Sequence, residues 1–363
     1  MVALSSNKFK HLIFTISLLL FSAYASSAVV LQYHHVSDDT PLITSISPTL
    51  FEEHLAYIKA QGFEVWDLPK VVSFLKEKKD IPSNVTVITF DDAYDSIYDT
   101  AYPLLKKYGW PFTVFVAPNP VDQKLKSFMS WAELKELSEN GVTIANHTLS
   151  HTHLVRKKEG ESESDWLKRI QQELQGTEDR LIKEIGSSPK LLAYPYGEFT
   201  SVIEGMVADM GLVAFGQHSG AVDHRFTLTS LPRFPMNNNF GAMSQFKTKL
   251  ASLPFPYKKI TPAKHLLNND DTLKDGMVIE FYPEKIQAKQ LACYFANQKI
   301  ELDVNQTEEH ILVKTGPLPA FVPGRSRINC TAPSSEVANS GRYYWFSHYW
   351  MRTLPSGEWY PEP

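Results

Sequence analysis

Val85-Thr-Val-Ile-Thr-Phe-Asp-Asp-Ala93 is the most informative segment of this chain. A β-prone apolar run of this length, bounded by polar residues, predicts a buried strand. Asp91 and Asp92 then lie at its carboxyl end, where α/β folds place their chemistry. Because side chains alternate along a strand, we expect the two acids to point in different directions and to take different roles. Their mutual repulsion indicates a nearby cation or a shared proton.

Strand and helix patterns alternate on both sides of this stretch. They are the strand Val29–Val36, a helix from Pro48 that Gly62 ends, the strand Phe63–Trp66, the helices Pro69–Lys76 and Ile97–Tyr108, the latter closed by Gly109, the strand Phe112–Val116, the helix Trp131–Glu139, the strand Val142–His147, the helix Asp165–Ile185, the strand Leu191–Tyr194, the helix Ile203–Met210 and the strand Leu212–Phe215. Ser130 and Glu133 have capping-box spacing. About seven βα units fit before residue 240, which favours a (β/α) barrel over a doubly wound sheet.

The pattern changes after about residue 255, where short strand-like segments replace helical periodicity. They are Met277–Tyr282, Leu291–Ala296, Lys299–Asp303, His310–Lys314 and Arg342–Trp350. We therefore predict a barrel domain over residues 29–256 and a small all-β, sandwich-like accessory domain over residues 257–363. Tyr343–Trp350 carries aromatic residues on both faces of one strand. The sandwich core accounts for one face. The other is a carbohydrate platform, a domain interface or an edge, and packing or the interface is favoured.

The first 28 residues have the pattern of a secretory signal peptide. Lys8 and Lys10 precede the apolar run Leu12–Phe21, and small residues follow as far as Ala28. This run is short for a membrane span, so we expect export to the periplasm or medium rather than a retained anchor, which is the alternative. In an exported protein, Cys293 and Cys330 most simply form one disulfide, with two free buried thiols as the alternative.

Composition limits the classes of partner. At 363 residues and 43% hydrophobic, the chain has room for two domains. Its pI of about 6.3 and net charge of −4 argue against nucleic-acid binding, which usually requires a basic patch.

A second polar cluster, Asn146–His153, follows the strand Val142–His147. His147 and His151 are four residues apart, a spacing that places both imidazoles on one side of a helical turn, with His153 as a possible decoy. A histidine pair of this kind is often only a polar patch. Together with a carboxylate from the neighbouring strand end, however, it forms the ligand set of a hydrolytic Zn²⁺ site.

Three segments resemble, in order and spacing, the signature motifs of the polysaccharide deacetylases (carbohydrate esterase family 4). They are Thr89-Phe-Asp-Asp92, His147-Thr-Leu-Ser-His151 and Tyr194-Pro-Tyr-Gly197. The resemblance spans about residues 29–245. Members of this family fold as a distorted (β/α) barrel and remove acetyl groups from N-acetylglucosamine polymers or, in some cases, from acetylated xylan.

The resemblance implies a role for each matching residue. Asp92, His147 and His151 would bind a divalent metal, with Zn²⁺ favoured over Co²⁺ or Ni²⁺, and Asp91 would be the general base. Pro195 and Tyr196 would contact the substrate, and the backbone N–H of Tyr196 would face the oxyanion. Without the other motifs, Asp91 would be read as a helix cap or a surface acid.

The opening strand, Leu31-Gln-Tyr-His-His-Val36, resembles the circularly permuted branch of this family, which includes the biofilm poly-β-1,6-N-acetylglucosamine deacetylases. Ser219-Gly220 and Leu231-Pro-Arg-Phe-Pro235 also resemble that branch. The usual Leu-x-His motif near the domain end is absent, so the resemblance implies His34 as the catalytic acid and makes His35 the weaker candidate. A core-edge histidine bonded to a backbone carbonyl is the alternative for His34.

The chain departs from the family at Ala193, where many members have an arginine that orients the base. Arg233 is the candidate replacement. Trp131 would stack on a sugar or pack the barrel, with neither favoured.

These residues predict a metal-dependent hydrolase that removes N-acetyl groups from a β-linked N-acetylglucosamine glycan. Asp91 would take a proton from water, and His34 would give one to the departing amine. The alternatives are an O-acetyl esterase acting on a xylan-like glycan and a carbohydrate-binding protein with an inactive site.

Overall fold

The structure is a computed structural model that describes residues 27–267, 273, 275–283, 285–319 and 321–361. The predicted signal peptide therefore lies outside the described residues, except for Ser27 and Ala28. Ala28 is already the first residue of a buried strand. None of the helices in the described ranges is both long enough and apolar enough to cross a membrane.

The N-terminal part of the chain alternates strands and helices. Its strands are β1 (Ala28–Tyr33), β2 (His35–Val36), β3 (Ser45–Ile46), β4 (Glu64–Val65), β5 (Val85–Phe90), β6 (Thr113–Val116), β7 (Thr143–Asn146), β8 (Leu191–Ala193), β9 (Val213–Phe215), β10 (Phe234–Pro235) and β11 (Leu253–Pro254). Its helices are α1 (Pro48–Ala60), α2 (Leu68–Lys76), α3 (Tyr102–Tyr108), α4 (Pro118–Asp122), α5 (Trp131–Glu139), α6 (Glu163–Ile185), α7 (Ser201–Asp209) and α8 (Met243–Leu250).

Eight of these strands form one curled sheet in the order β10-β1-β5-β6-β7-β8-β9, with β4 beside the start of β5. Its strand pairs are parallel, as the alternating pattern predicts. The segment 228–235 closes the gap between the two ends of the sheet: Leu231 pairs with Phe215 of β9, and Phe234 pairs with Leu31 of β1. The predicted distorted (β/α) barrel is therefore confirmed.

Strands β1 and β5 are buried along their whole length because the sheet is covered on both faces. Ile88 and Phe90 of β5 pack in the same core cluster as Phe51 and Leu55 of α1. Val87 belongs to the other face. Because side chains alternate along the strand, Thr89 and Asp91 lie on the same face as Val87.

Each predicted helix is present, with bounds that differ from the prediction by at most two residues. The capping box of Ser130 and Glu133 opens α5 as predicted. The predicted helix Ile97–Tyr108 begins instead with a π-helical turn, Ile97–Ala101, before α3. It ends at Gly109, whose φ of 64° is the left-handed conformation that glycine adopts at least cost.

The C-terminal part of the chain is all-β in its described residues, apart from two short 3-10 turns. Its strands are β12 (Tyr257–Thr261), β13 (Leu266–Leu267), β14 (Val278–Phe281), β15 (Ala292–Phe295), β16 (Gln298–Lys299), β17 (Leu302–Gln306), β18 (Ile311–Thr315), β19 (Gly324–Pro333) and β20 (Tyr343–Arg352). One sheet has the order β11-β20-β19-β15-β16, with β13 on β20, and the other has the order β12-β14-β18-β17. Both sheets contribute to one apolar core.

The sequence pattern does not indicate β19, because its buried positions include small residues such as Ser326, Cys330 and Ala332. Cys330 lies opposite Cys293 of β15, and the two form the predicted disulfide. Strand β11 precedes residue 257 and already pairs with β20. The division at residues 256 and 257 remains a prediction.

The aromatic strand β20 connects the two parts of the chain. Tyr344, Phe346 and Trp350 lie in the sandwich core. Tyr349 packs with barrel residues, and Trp345 contacts Phe234 with ring centroids 5.3 Å apart. Part of the face outside the sandwich core, at Trp345 and Tyr349, is therefore an interface with the barrel, whereas Tyr343 on that face is exposed.

Candidate metal centre and active site

Three predicted ligands meet at the carboxyl ends of β5 and β7. Asp92 Oδ1 lies 3.3 Å from His147 Nε2 and 3.2 Å from His151 Nε2. The candidate ligand atoms all lie within 4.8 Å of one another. Asp92 and His147 are buried, whereas His151 is partly exposed, so the cluster opens to solvent on one side.

The two histidines do not lie on a helical turn, and that expectation was wrong. His147 follows β7 directly, and the segment from His147 to His151 is a loop. Thr148 and His151 have φ values of 63° and 53°, in the left-handed region that folds the loop back on itself. Asp92 also has a left-handed φ, of 73°. Such backbone strain in residues other than glycine is typical of functional sites.

The tautomer of His147 suits a metal ligand. Its Nδ1 lies 2.8 Å from the carbonyl oxygen of Ala193, which can only accept, so Nδ1 carries the proton. Nε2 therefore faces Asp92. Burial alone would lower the pKa of His147, but the Asp92 carboxylate outweighs burial and the net pKa is raised, so a bound cation would take the place of the Nε2 proton. Burial lowers the pKa of His151 to about 4, which favours the neutral imidazole that metal binding requires. One carboxylate and two imidazoles suit a divalent cation such as Zn²⁺.

Asp91 has a different set of partners from Asp92. Arg233 Nη1 donates to Asp91 Oδ1 at 2.7 Å, and Arg233 Nη2 donates to Oδ2 at 2.8 Å. Gln32 Nε2 donates to Oδ2 at 2.6 Å. All three side chains are fully buried. Burial raises the pKa of Asp91, but the charge of Arg233 outweighs it and the net pKa is lowered. Asp91 is therefore ionised at neutral pH.

The two oxygens of Asp91 are not equivalent. Oδ2 accepts two hydrogen bonds, from Arg233 and Gln32, whereas Oδ1 accepts one, from Arg233. Each carboxylate oxygen can accept about two hydrogen bonds. Within the described part of the chain, Oδ1 thus keeps an acceptor position for a further donor.

The adjacent histidines of the opening strand have different surroundings. His34 lies at the break between β1 and β2 and is half-buried. It interacts electrostatically with Asp91, Asp92 and His151, which places it beside the cluster. His35 also interacts electrostatically with Asp92, but its side chain is buried and stacks on Tyr94 with ring centroids 3.6 Å apart, and burial lowers its pKa. These contacts favour His34 over His35 as the group that faces a substrate.

Tyr196 borders the cluster of Asp92, His147 and His151 on a tight turn. It is the central residue of the 3-10 turn Pro195–Gly197 and has a φ of 60°. Its ring lies edge-on to His151, with centroids 4.8 Å apart, and parallel to His153 at 3.7 Å. A Cβ at Gly197 would come within 2.6 Å of the Gln217 side chain, so only glycine fits this turn.

His153 lies outside the cluster of Asp92, His147 and His151, and Glu198 holds its ring in place. Its Nδ1 is 2.7 Å from Oε2 of Glu198, a fully buried acid. Tyr360 donates its hydroxyl proton to Glu198 Oε1 at 3.1 Å. Arg325 donates to the carbonyl oxygen of Tyr196. Residues from the C-terminal part of the chain therefore support the Tyr196 turn.

Trp131 is engaged in contacts between helices. Its Nε1 donates to Asp122 Oδ1 at 2.7 Å, and the Arg180 guanidinium lies 5.2 Å from its ring centroid. It also packs against the main core cluster. These contacts favour the packing alternative for this residue.

Sequence reasoning missed Gln32, Glu198, Arg325 and Tyr360. Gln32 had a local signal, since it is a polar residue within the otherwise apolar start of β1. The others had none, because their partners are distant in sequence.

The chain is similar to known polysaccharide deacetylases. Residues 78–215 match the family model described as polysaccharide deacetylase. A poly-beta-1,6-N-acetyl-D-glucosamine N-deacetylase of Staphylococcus aureus is 29% identical over 190 residues, which are 47% of this chain and 65% of that protein. YxkH of Bacillus subtilis, whose name also describes a polysaccharide deacetylase, is 32% identical over 126 residues, 34% of this chain and 43% of that protein. The chain thus spans less than two thirds of these relatives.

Solved structures share the fold. The Streptococcus pyogenes deacetylase PplD, in complex with acetate, has a TM-score of 0.56 and 22% identity, and covers 62% of this chain and 99% of its own. IcaB from Ammonifex degensii has a TM-score of 0.52 and 21% identity, with 62% and 98% covered. At this level of identity, the likeness concerns the fold alone.

Proposed function

We propose that this chain, which contains a polysaccharide deacetylase domain, is a metal-dependent hydrolase that removes N-acetyl groups from a β-linked N-acetylglucosamine glycan. The observation that carries the proposal is the division of labour between two adjacent acids. Asp92 faces two imidazoles, whereas Asp91 faces a guanidinium. One acid is thus suited to bind a cation and the other to handle a proton.

Asp92, His147 and His151 are the proposed metal ligands. A divalent cation bound there would polarise the amide carbonyl and lower the pKa of a water molecule. Zn²⁺ fits this donor set, and Co²⁺ or Ni²⁺ would also be accepted, since affinity for such sites follows the Irving–Williams order.

Asp91 and His34 are the proposed proton-transfer groups. Oδ1 of Asp91 would take the proton of the attacking water, because it retains an acceptor position. Arg233 would fix the orientation of this carboxylate, the role left vacant by Ala193. His34 as an imidazolium would give a proton to the departing amine, and the backbone N–H of Tyr196 would stabilise the oxyanion.

The glycan is assigned from the relative in Staphylococcus aureus, whose name specifies a poly-β-1,6-linked N-acetylglucosamine substrate. We further propose that residues 1–28 direct export and that residues 257–363 are an accessory domain. A disulfide in that region suits an oxidising compartment.

Acetate release tests the proposed function directly. We expect acetate release from poly-β-1,6-N-acetylglucosamine. Chelation should lower the rate of release about tenfold or more, and adding Zn²⁺, Co²⁺ or Ni²⁺ should restore it. Acetylated xylan serves as the ester substrate, and Mg²⁺ serves as the control ion because it prefers oxygen ligands. Release that is insensitive to chelator would contradict the metal mechanism. Faster release from xylan would favour an esterase, and glycan binding without release would favour a binding protein.

Arg325 is expected to position the Tyr196 turn from the C-terminal part of the chain. Arg325→Met keeps the length of the side chain but removes the hydrogen bond to the Tyr196 carbonyl. A charge-assisted hydrogen bond contributes about 1.5 kcal/mol, so kcat should fall about tenfold with little change in KM.

Arg342→Met is the matched control for this prediction. Arg342 donates to the backbone carbonyls of Ala251 and Ser83, so it also joins the two parts of the chain but does not contact Tyr196. If the fall in kcat has the same ratio to the fall in thermal stability in both variants, Arg325 has no specific positioning role.

A further inference from the structure

A groove of about 720 Å³ lies between α8 and the outer face of the sheet that contains β15, β19 and β20. Its volume falls within the range of ordinary ligand sites. One wall includes Phe240 and Gln245, and the other includes Tyr294, Asn329 and Trp345. None of these residues belongs to the proposed catalytic machinery.

Exposed aromatic rings are concentrated in this groove. Phe240, Tyr294 and Tyr343 are 46%, 40% and 42% exposed, and they line it together with the half-buried Trp345. Exposed large apolar side chains that cluster usually mark an interaction site. Flat rings separated by polar groups suit a pyranose, whose C–H faces stack on aromatic rings.

The sheet wall carries hydrogen-bonding groups between these rings. Tyr294 lies opposite Asn329 on β19, and Thr331 lies opposite Trp345 on β20, so the four side chains share one face. Asn329 Oδ1 and Trp345 Nε1 belong to residues that line the groove, are covered from solvent, and have no partner among the described protein groups. One is an acceptor and the other a donor, so a small movement of these two side chains would present a pair that matches hydroxyl and acetamido groups.

The charge of the groove restricts its ligand further. Its described lining includes Lys249 and Arg327 but no Asp or Glu. Lys249 Nζ donates to the carbonyl oxygens of Phe240 and Pro235, which fixes its position at the groove. A glycan segment with free amines would be cationic and repelled here, whereas an N-acetylated segment is neutral.

We propose that this groove binds N-acetylated segments of the glycan and discriminates against segments that are already deacetylated. The inference rests on the proposed function, because it takes its ligand from the same substrate. The groove would retain the polymer through its unreacted stretches and release it as they are consumed. A flat protein partner is less suited, since the polar groups lie within a cleft between stacking surfaces.

Calorimetric titration of the metal-loaded full chain carrying Asp91→Asn tests the inference while turnover is slowed. The probes are a β-1,6-linked N-acetylglucosamine pentamer and its fully de-N-acetylated form. We expect the acetylated pentamer to bind at least about tenfold more tightly. Tyr294→Ala combined with Tyr343→Ala should weaken its binding about tenfold, because the two exposed rings that would stack on the sugar are removed.

Tyr282→Ala is the matched control, because Tyr282 is also 42% exposed but does not line the groove. Arg327→Gln should reduce the ratio of the affinity for the acetylated pentamer to the affinity for the deacetylated one. Thermal unfolding and metal content would verify that each variant is folded. Three outcomes would overturn the inference. The double variant binds the acetylated pentamer as tightly as the parent chain does; the deacetylated pentamer binds as tightly as the acetylated one or more tightly; or the chain self-associates and the double variant abolishes that association. Failure of acetate release with intact pentamer selectivity would overturn the proposed function alone.

Discussion

Asp91→Asn is expected to lower kcat for acetate release by about 10²- to 10⁴-fold without loss of bound metal. Asn has the same shape but cannot take a proton from water. In the unchanged protein Arg233 donates to both oxygens of Asp91. In the variant, the single amide oxygen of Asn can still accept one of these two hydrogen bonds. Acetate release and metal content, measured on the same preparation, check this prediction.

Two neighbouring acids serve as comparisons for Asp91. Asp99→Asn changes an exposed acid of the following π-helical turn and should leave kcat within about twofold. Asp92→Asn should lose metal together with activity, because Asp92 faces both imidazoles. If Asp91→Asn also loses its metal, Asp91 is a ligand rather than a base. A fall in kcat of less than about tenfold would mean that another group takes the proton.

Arg233→Met is expected to lower the free energy of unfolding by about 3–5 kcal/mol, because it leaves the Asp91 carboxylate buried without its countercharge. Both side chains are 0% exposed, so solvent cannot replace the lost partner. Urea unfolding measures this loss. Activity should also fall steeply, since Gln32 alone would then orient the base.

The double variant Asp91→Asn with Arg233→Met separates pairing from packing. It should recover part of the stability lost in Arg233→Met, because no unpaired charge is left in the barrel. Lys168→Met is the control: Lys168 pairs with Asp165 while both side chains are mostly exposed, at 70% and 66%, so its loss should cost about 1 kcal/mol or less. Additive losses in the double variant would show that Asp91 and Arg233 are not energetically coupled.

Local pattern was sufficient for most of the barrel. The run Val85–Phe90 is a strand because its β-prone residues are buried on both faces, and the capping box at Ser130 begins α5. Prediction from local pattern was wrong where tertiary packing decides the backbone conformation. The four-residue spacing of His147 and His151 predicted a helical turn, but left-handed residues bring the imidazoles together in a loop. Strand β19 was missed because small buried residues weaken its alternation.

Local motifs were enough to place four polar groups at the strand ends, namely Asp91, Asp92, His147 and His151. The partners of these groups, in contrast, depend on tertiary packing. Arg233 reaches Asp91 across 142 residues because the segment 228–235 closes the barrel beside β1. Likewise, Tyr360 reaches Glu198 across 162 residues. Local propensity acts over a few residues, whereas such pairs depend on how the whole chain closes on itself.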